Sequence, residues 1–394
     1  MGFRSSPNNS TQNASKKAVV RPHWTHFSKT TSIYSGPAPS CAPLEANDVP
    51  DVVGAYIEGQ RKRLASLFIA SALTLVAALL SMGFGSSESL SMGATLRLLF
   101  GLQASEGLQR EILLNLRLPR VLVALAGGAA LAMAGTMMQG VLGNPLVSPL
   151  TLGVASGAGL GAALAIVLDI SVFGQAEFAI LGNAFLFAMM VVAIIIKLGD
   201  MSTVTAESYI LVGIAITFIA GAMVQTMQYF ATDAQISQLT HWSFGSLSRP
   251  SLQHALWISL FVVVMLPSGL VAAWDLNTLA VGGDDFAAAT GVDPRSTRRS
   301  VLILSATLTA VVISFTGIIG FLGLVAPHVS RLLVGNDYRT LLPFSAVMGA
   351  AVLLVADTIG RTLFAPIVLP VGVMLSVIGG PFFLYLLLSR RGRA

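Results

Sequence analysis

From Val121 to Val141 the chain runs without one charged side chain, directly after Arg117-Leu118-Pro119-Arg120. An apolar run of about 20 residues matches the hydrocarbon thickness of a bilayer crossed by a helix. Small residues crowd this one: Gly127, Gly128, Ala129, Ala130, Ala132, Ala134 and Gly135. Beyond the break at Asn144-Pro145, Gly153, Gly157 and Gly161 recur at every fourth position. Lipid supplies little hydrophobic force between helices, so small residues that let backbones approach must do the packing. Both stretches are therefore expected to lie inside a helix bundle.

The rest of the chain repeats the pattern. Only 10% of its 394 residues are charged, 54% are hydrophobic, and the mean hydropathy is +0.78. A soluble domain carries about 25% charged residues, so an all-α polytopic membrane protein is expected. Spans are predicted near 64–83, 118–141, 149–168, 177–197, 209–229, 254–273, 300–318, 320–333, 343–361 and 370–388. Ten spans return both termini to one side. Beyond residue 60, twelve Lys or Arg fall on the side of the termini and six on the other. That bias makes the side of the termini cytoplasmic. The net charge of +5 then reflects membrane edges, and no nucleic-acid partner is implied.

Residues 1–60 are polar, with no sustained apolar period, and are expected to form a disordered cytoplasmic tail ahead of a ten-helix domain over 61–394. No signal-peptide core is visible near the start. His23 and His26 stand three apart without further ligands, and Cys41 is the one cysteine, so no metal site and no disulfide framework is expected. The longest internal polar segment, 273–300, falls on the cytoplasmic side. In it Asp284 and Asp285 precede Phe286 and three alanines, and Gly291 follows, as at the two ends of a short helix. Such a helix either docks a soluble partner or is a structured loop.

Other residues carry less. Asp357 precedes Arg361 by one helical turn and steadies it or neutralises charge there. Met133 and Met137 share a helix face, with Gln139 nearby; they line a pathway or pack against a neighbour, and spacing does not choose. His328 has no companion ligand and reads as a helix-end hydrogen-bonding group. No Gly-Lys dipeptide occurs, so the phosphate-cradling GxxxxGK[ST] loop is absent. No nucleophile–base constellation replaces it, and neither enzymatic activity nor a cofactor is expected.

Eight stretches together resemble the membrane permeases of binding-protein-dependent ABC importers for iron–siderophore complexes, vitamin B12 and haem. They are RLPR (117–120), GAALAMAGTMMQ (128–139), NPL (144–146), LGVASGAGLG (152–161), WSFGSL (242–247), GIIGFLGLVAPHVSR (317–331), LLPFSAVMGAAVLLVADTIGR (341–361) and LPVGVMLSVIGGPFFLYLLL (369–388). The resemblance implies ten transmembrane helices forming half of a dimeric translocator in the bacterial cytoplasmic (inner) membrane. It implies a separate ATP-binding subunit docked on the 273–300 segment through Asp284, Asp285, Ala287, Ala288 and Gly291. It also implies a periplasmic or lipid-anchored substrate-binding protein docked on Arg117, Arg120 and Arg361, and a second permease subunit, identical or related. Ferric siderophores are the commonest cargo of the family, with cobalamin and haem as the alternatives. The sequence departs from the family pattern at the longer Gly282-Gly283, at Thr290 in place of leucine, and at Val368 in place of glutamate. An ion-gradient-driven carrier is the alternative of another class; it expects charges near mid-bilayer, and the predicted spans hold almost none.

Overall fold

A computed structural model describes residues 52–84, 107–200 except 173 and 175, and 206–390, together with Gly93, Thr95 and Arg97. The tail over 1–51, with His23, His26 and Cys41, lies outside the described residues. Among these residues the chain is all-helical: α1 (Val52–Gly83), α2 (Gly107–Val141), α3 (Val154–Val167), α4 (Ala176–Asp200), α5 (Ala206–Phe230) and α6 (Asp233–Ser243). There follow α7 (Leu252–Val271), α8 (Ala273–Ala289), α9 (Pro294–Thr316), α10 (Leu322–Val334), α11 (Tyr338–Thr362) and α12 (Val371–Arg390). Seven of them are long and apolar enough to cross a membrane, namely α1, α2, α4, α5, α7, α9 and α11, and α3, α10 and part of α12 are shorter apolar helices.

Helix α2 is the axis of the bundle, packed by α11, α9, α7 and α10. In its most apolar window 78% of residues are buried, against 17% in α1 and 11% in α5. The small residues explain the difference. A Cβ on Gly128 would stand 2.5 Å from the Gly349 carbonyl oxygen of α11, so the two backbones touch. Gly161 meets the Asn183 carbonyl of α4 in the same way, and a Cβ on Gly157 would come within 2.7 Å of the Phe187 carbonyl. Gly153 begins α3 in the left-handed region, at φ 78°, against the Gly213 carbonyl of α5. The expectation that these two stretches lie inside the bundle is met, because close contact at glycine replaces hydrophobic drive in lipid.

Several boundaries differ from the sequence reading. Helix α1 begins at Val52, twelve residues before the predicted span, so residues 52–60 are helical and not part of a disordered tail. Helix α2 extends back to Gly107, through the proline read as its mouth. A proline inside a helix removes one hydrogen bond and crowds the preceding turn. The chain absorbs this by widening Ile112–Arg117 into a π-turn, in which the Leu118 N–H reaches back to the Leu113 carbonyl. Helix α6 was not predicted, being polar and short. Its signal was the Thr232-x-x-Gln235 capping box, formed in full. Helix α9 starts at Pro294, six residues early, with Asp293 accepting the Arg295 N–H at 3.0 Å.

Candidate functional site

The two ends of α2 carry different polar constructions. At the Arg117 end, two buried arginines satisfy the end of α1, whose last carbonyls have no partner within the helix. Arg117 Nη1 donates to the Met82 and Gly83 carbonyls at 2.7 and 3.2 Å, and Arg361 donates to the carbonyls of Phe84 and Ser81 at 2.6 and 2.5 Å. Both side chains belong to residues 5% exposed. Asp357, 3% exposed, stands between two guanidiniums: Arg120 Nη2 at 2.8 Å and Arg361 Nε at 3.4 Å. The predicted turn-apart pair Asp357–Arg361 is present, and Arg120 is its stronger partner. A cleft of about 380 Å³ is lined here by Asn115, Arg117, Arg120, Ser248 and Arg361, and also by Val368. The departure at Val368 thus falls inside the arginine cleft and leaves an apolar wall where the resemblance expects a carboxylate. Arg249 is not among the expected site residues. It reaches the carbonyls of His241, Trp242 and Thr316, tying the ends of α6 and α9.

The other end of α2 meets the 273–300 segment. There α8 is one helix broken at Gly283, whose φ of 70° and ψ of −160° lie outside any helical region. The stretch Asp284–Ala289 restarts after the kink, and Gly291 closes it at φ 89°. Ala287 is buried, while Asp284, Asp285, Phe286 and Ala288 are exposed. Asp284 forms a bidentate pair with Arg298 of α9, at 2.7 and 2.5 Å. Arg298 was not among the candidates; its partners lie 14 and 157 residues away, and no local signal marks it.

Gln139 is spoken for. It accepts from Arg331 Nη1 at 2.6 Å and donates to the Gly323 carbonyl at 3.2 Å, joining α2 to α10. Met133 and Met137 are fully buried, with their sulfur ends against Gly269 of α7. Both pack α2 against α7, and Met133 also lines an apolar cleft of about 420 Å³ between α1, α2, α7 and α11.

Asp337 is a further junction. It caps α11 through the Arg339 N–H, accepts from the Arg339 guanidinium at 2.7 Å and from Asn277 of α8 at 2.8 Å, and has Arg63 of α1 at 3.9 Å. The Arg339 hydrogen bonds, with the Asn277 amide, hold its carboxyl well below the ordinary value of 3.8. A lowered folded-state pKa stabilises the fold above the unfolded value and loses that contribution as pH falls through and below it. Asp337→Asn is therefore expected to cost about 1–2 kcal/mol near neutral pH. Thermal unfolding in detergent at a series of pH values checks this: the gap from the unsubstituted chain closes as pH falls below 3.8. A gap that persists in acid overturns the assignment.

Comparison with known proteins agrees with this architecture. The FecCD transport family matches residues 73–389. The hemin transport system permease protein HmuU of Yersinia pestis is 39% identical over 323 residues, covering 80% of this chain and 95% of that protein. The cobalamin import system permease protein BtuC of Halobacterium salinarum is 40% identical over 282 residues, covering 71% and 74%. A solved structure described as an inward-facing conformation, assigned to the metal-chelate type of ABC transporter, superposes with a TM-score of 0.72 at 29% identity, covering 82% of this chain and 99% of that one. On this match the chain belongs to the FecCD transport family and is an ABC importer permease, not a catalytic subunit.

Proposed function

We propose that the chain is one of two permease subunits that together enclose the pathway of a metal-chelate importer in the bacterial cytoplasmic membrane. It crosses the bilayer ten times, with both termini in the cytoplasm, and alternates access as a separate ATPase closes and opens beneath it. The cargo is a ferric chelate of the siderophore class. The names of the relatives, hemin and cobalamin among them, support a chelated metal and leave cobalamin and haem as the alternatives.

The observation that carries this reading is the short helix Asp284–Ala289. It is bounded by Gly283 and Gly291, both at positive φ, and presents Asp285, Phe286 and Ala288 outward near the Val141 end of α2. A Phe left 46% exposed among the described residues, beside alanines, suits a cleft in a soluble partner. At the opposite end, three guanidiniums against the single carboxylate of Asp357 leave an excess of positive charge suited to acidic residues of a binding protein. Arg117 and Arg361 are committed to α1 carbonyls, so Arg120 is the arginine best placed to exchange its partner.

Gentle detergent purification of the tagged chain from its native membrane, with mass spectrometry of its companions, tests the proposal. The expected result is a stoichiometric ATPase and two permease copies or two related permeases. Deleting 284–291 is expected to release the ATPase while the chain stays inserted. A folded chain without an ATPase, or one that keeps it after the deletion, overturns the reading.

A further inference from the structure

We propose that Arg298 is the positioning residue that carries movement of the coupling helix to the central helix α2. This rests on the importer reading above and names the residue through which that reading works.

The segment Asp284–Gly291 sits between two backbone pivots, Gly283 at φ 70° and Gly291 at φ 89°, a region that glycine enters without strain. Between these pivots the segment is free to turn as a unit except where the packing of buried Ala287 and its polar contacts tie it to the body of the bundle. Among the described residues, its only side-chain hydrogen bond or ion pair to another part of the chain is the one from Asp284 to Arg298. Arg298 is itself held. Its side chain is 11% exposed, and its Nε donates at 3.2 Å to the carbonyl of Val141, the last residue of α2. That carbonyl has no partner in its own helix, and a cation at a helix C-terminus is favoured by the helix dipole.

One planar guanidinium thus grips the docking helix with one edge and the end of the bundle's central helix with Nε. The fork bound by two parallel hydrogen bonds fixes orientation as well as distance, so rotation of the coupling helix is passed on along with translation. Two residues earlier in α2, Gln139 is anchored to α10 by Arg331. The end of α2 is therefore held by two arginines from different elements, only one of which touches the coupling helix. A push on Asp284 moves Val141 relative to that second anchor.

The test uses the complete importer, with its ATPase, in proteoliposomes, and reads cargo taken up per ATP hydrolysed. Arg298→Ala and Arg298→Lys are both expected to co-purify with the ATPase at the unsubstituted ratio and to hydrolyse ATP at its rate. Their uptake per ATP is expected to fall roughly tenfold, the size of a typical coupling between sites. Lysine fails along with alanine because a point charge cannot hold both partners in a fixed geometry. The exchanged pair, Asp284→Arg with Arg298→Asp, restores an ion pair but not a donor to Val141, so uptake per ATP stays low.

An unchanged ratio in the alanine and lysine variants overturns the proposal, as does recovery in the exchanged pair. Loss of the ATPase from Arg298→Ala does so too, since the residue then serves association. If the unsubstituted chain retains no ATPase, the importer reading itself fails, and that result is distinct. Should the variants not fold, spin labels on Leu146→Cys and Thr290→Cys in a Cys41→Ser background ask the same question of the native Arg298. Their separation is expected to be the same with and without nucleotide, and a change of about one helical turn, 5 Å, or more overturns the proposal.

Discussion

Asp357→Ala is expected to destabilise the permease by about 3–5 kcal/mol, the cost of removing one partner from a buried ion pair and leaving the other charged. The carboxylate is 3% exposed and lies within 2.8 Å of Arg120 and 3.4 Å of Arg361. Arg361 is no freer to move, since it also holds the Ser81 and Phe84 carbonyls at the end of α1. Without Asp357, two guanidiniums face each other in a desolvated cleft, and the α1 junction carries the repulsion. Thermal unfolding in detergent, read by size-exclusion elution, measures the effect. Asp357→Asn is expected to fall between, because its amide oxygen still accepts one hydrogen bond. The double change Asp357→Leu with Arg120→Leu is expected to be milder than Asp357→Ala, since it removes a buried charge together with its stronger partner and leaves Arg361 on the α1 carbonyls. If Asp357→Ala unfolds within a degree or two of the unsubstituted chain, the carboxylate is not the keystone of this end.

Gly128→Val is expected to cost about 3 kcal/mol or more through overpacking of the bundle axis. The new Cβ would lie 2.5 Å from the Gly349 carbonyl oxygen and 2.8 Å from the Ala350 Cα, and these are backbone atoms of a buried helix. Neither can rotate out of the way, so α2 and α11 must separate along their length. Gly221→Ala in α5 is the matched control. Nothing lies within 4 Å of a Cβ there, and exchanging glycine for alanine inside a helix is expected to stabilise by roughly 0.5–1 kcal/mol. Equal effects of the two changes, measured by the same unfolding assay, would show that the close crossing does not hold the bundle together.

These two sites were not equally legible. Gly128 stood out in the sequence as part of a small-residue cluster inside a charge-free run, because packing in lipid requires such residues. Its partner Gly349 did not, since nothing local says which helix α2 crosses. Asp357 was tied to Arg361 by helical spacing alone, and that much was right. Its stronger partner, Arg120, lies 237 residues away. The same limit hid α6, whose polar sequence carries a capping box but no apolar period. It also hid the start of α2, where a π-turn carries the helix through Pro119.

Apolar length, glycine spacing and the motifs of the permease family are properties of contiguous residues, and the bilayer and the backbone read them directly. They determined an all-helical membrane protein of the FecCD transport family, with two buried helices at its centre and a short helix ending at Gly291 in its longest internal polar segment. Only the tertiary structure decided which groups the arginines meet: Arg361 with Ser81, Arg331 with Gln139, and Arg298 with both Asp284 and Val141. A buried charge must find its partner where desolvation is severe, and the packing of helices far apart in sequence sets where that partner lies.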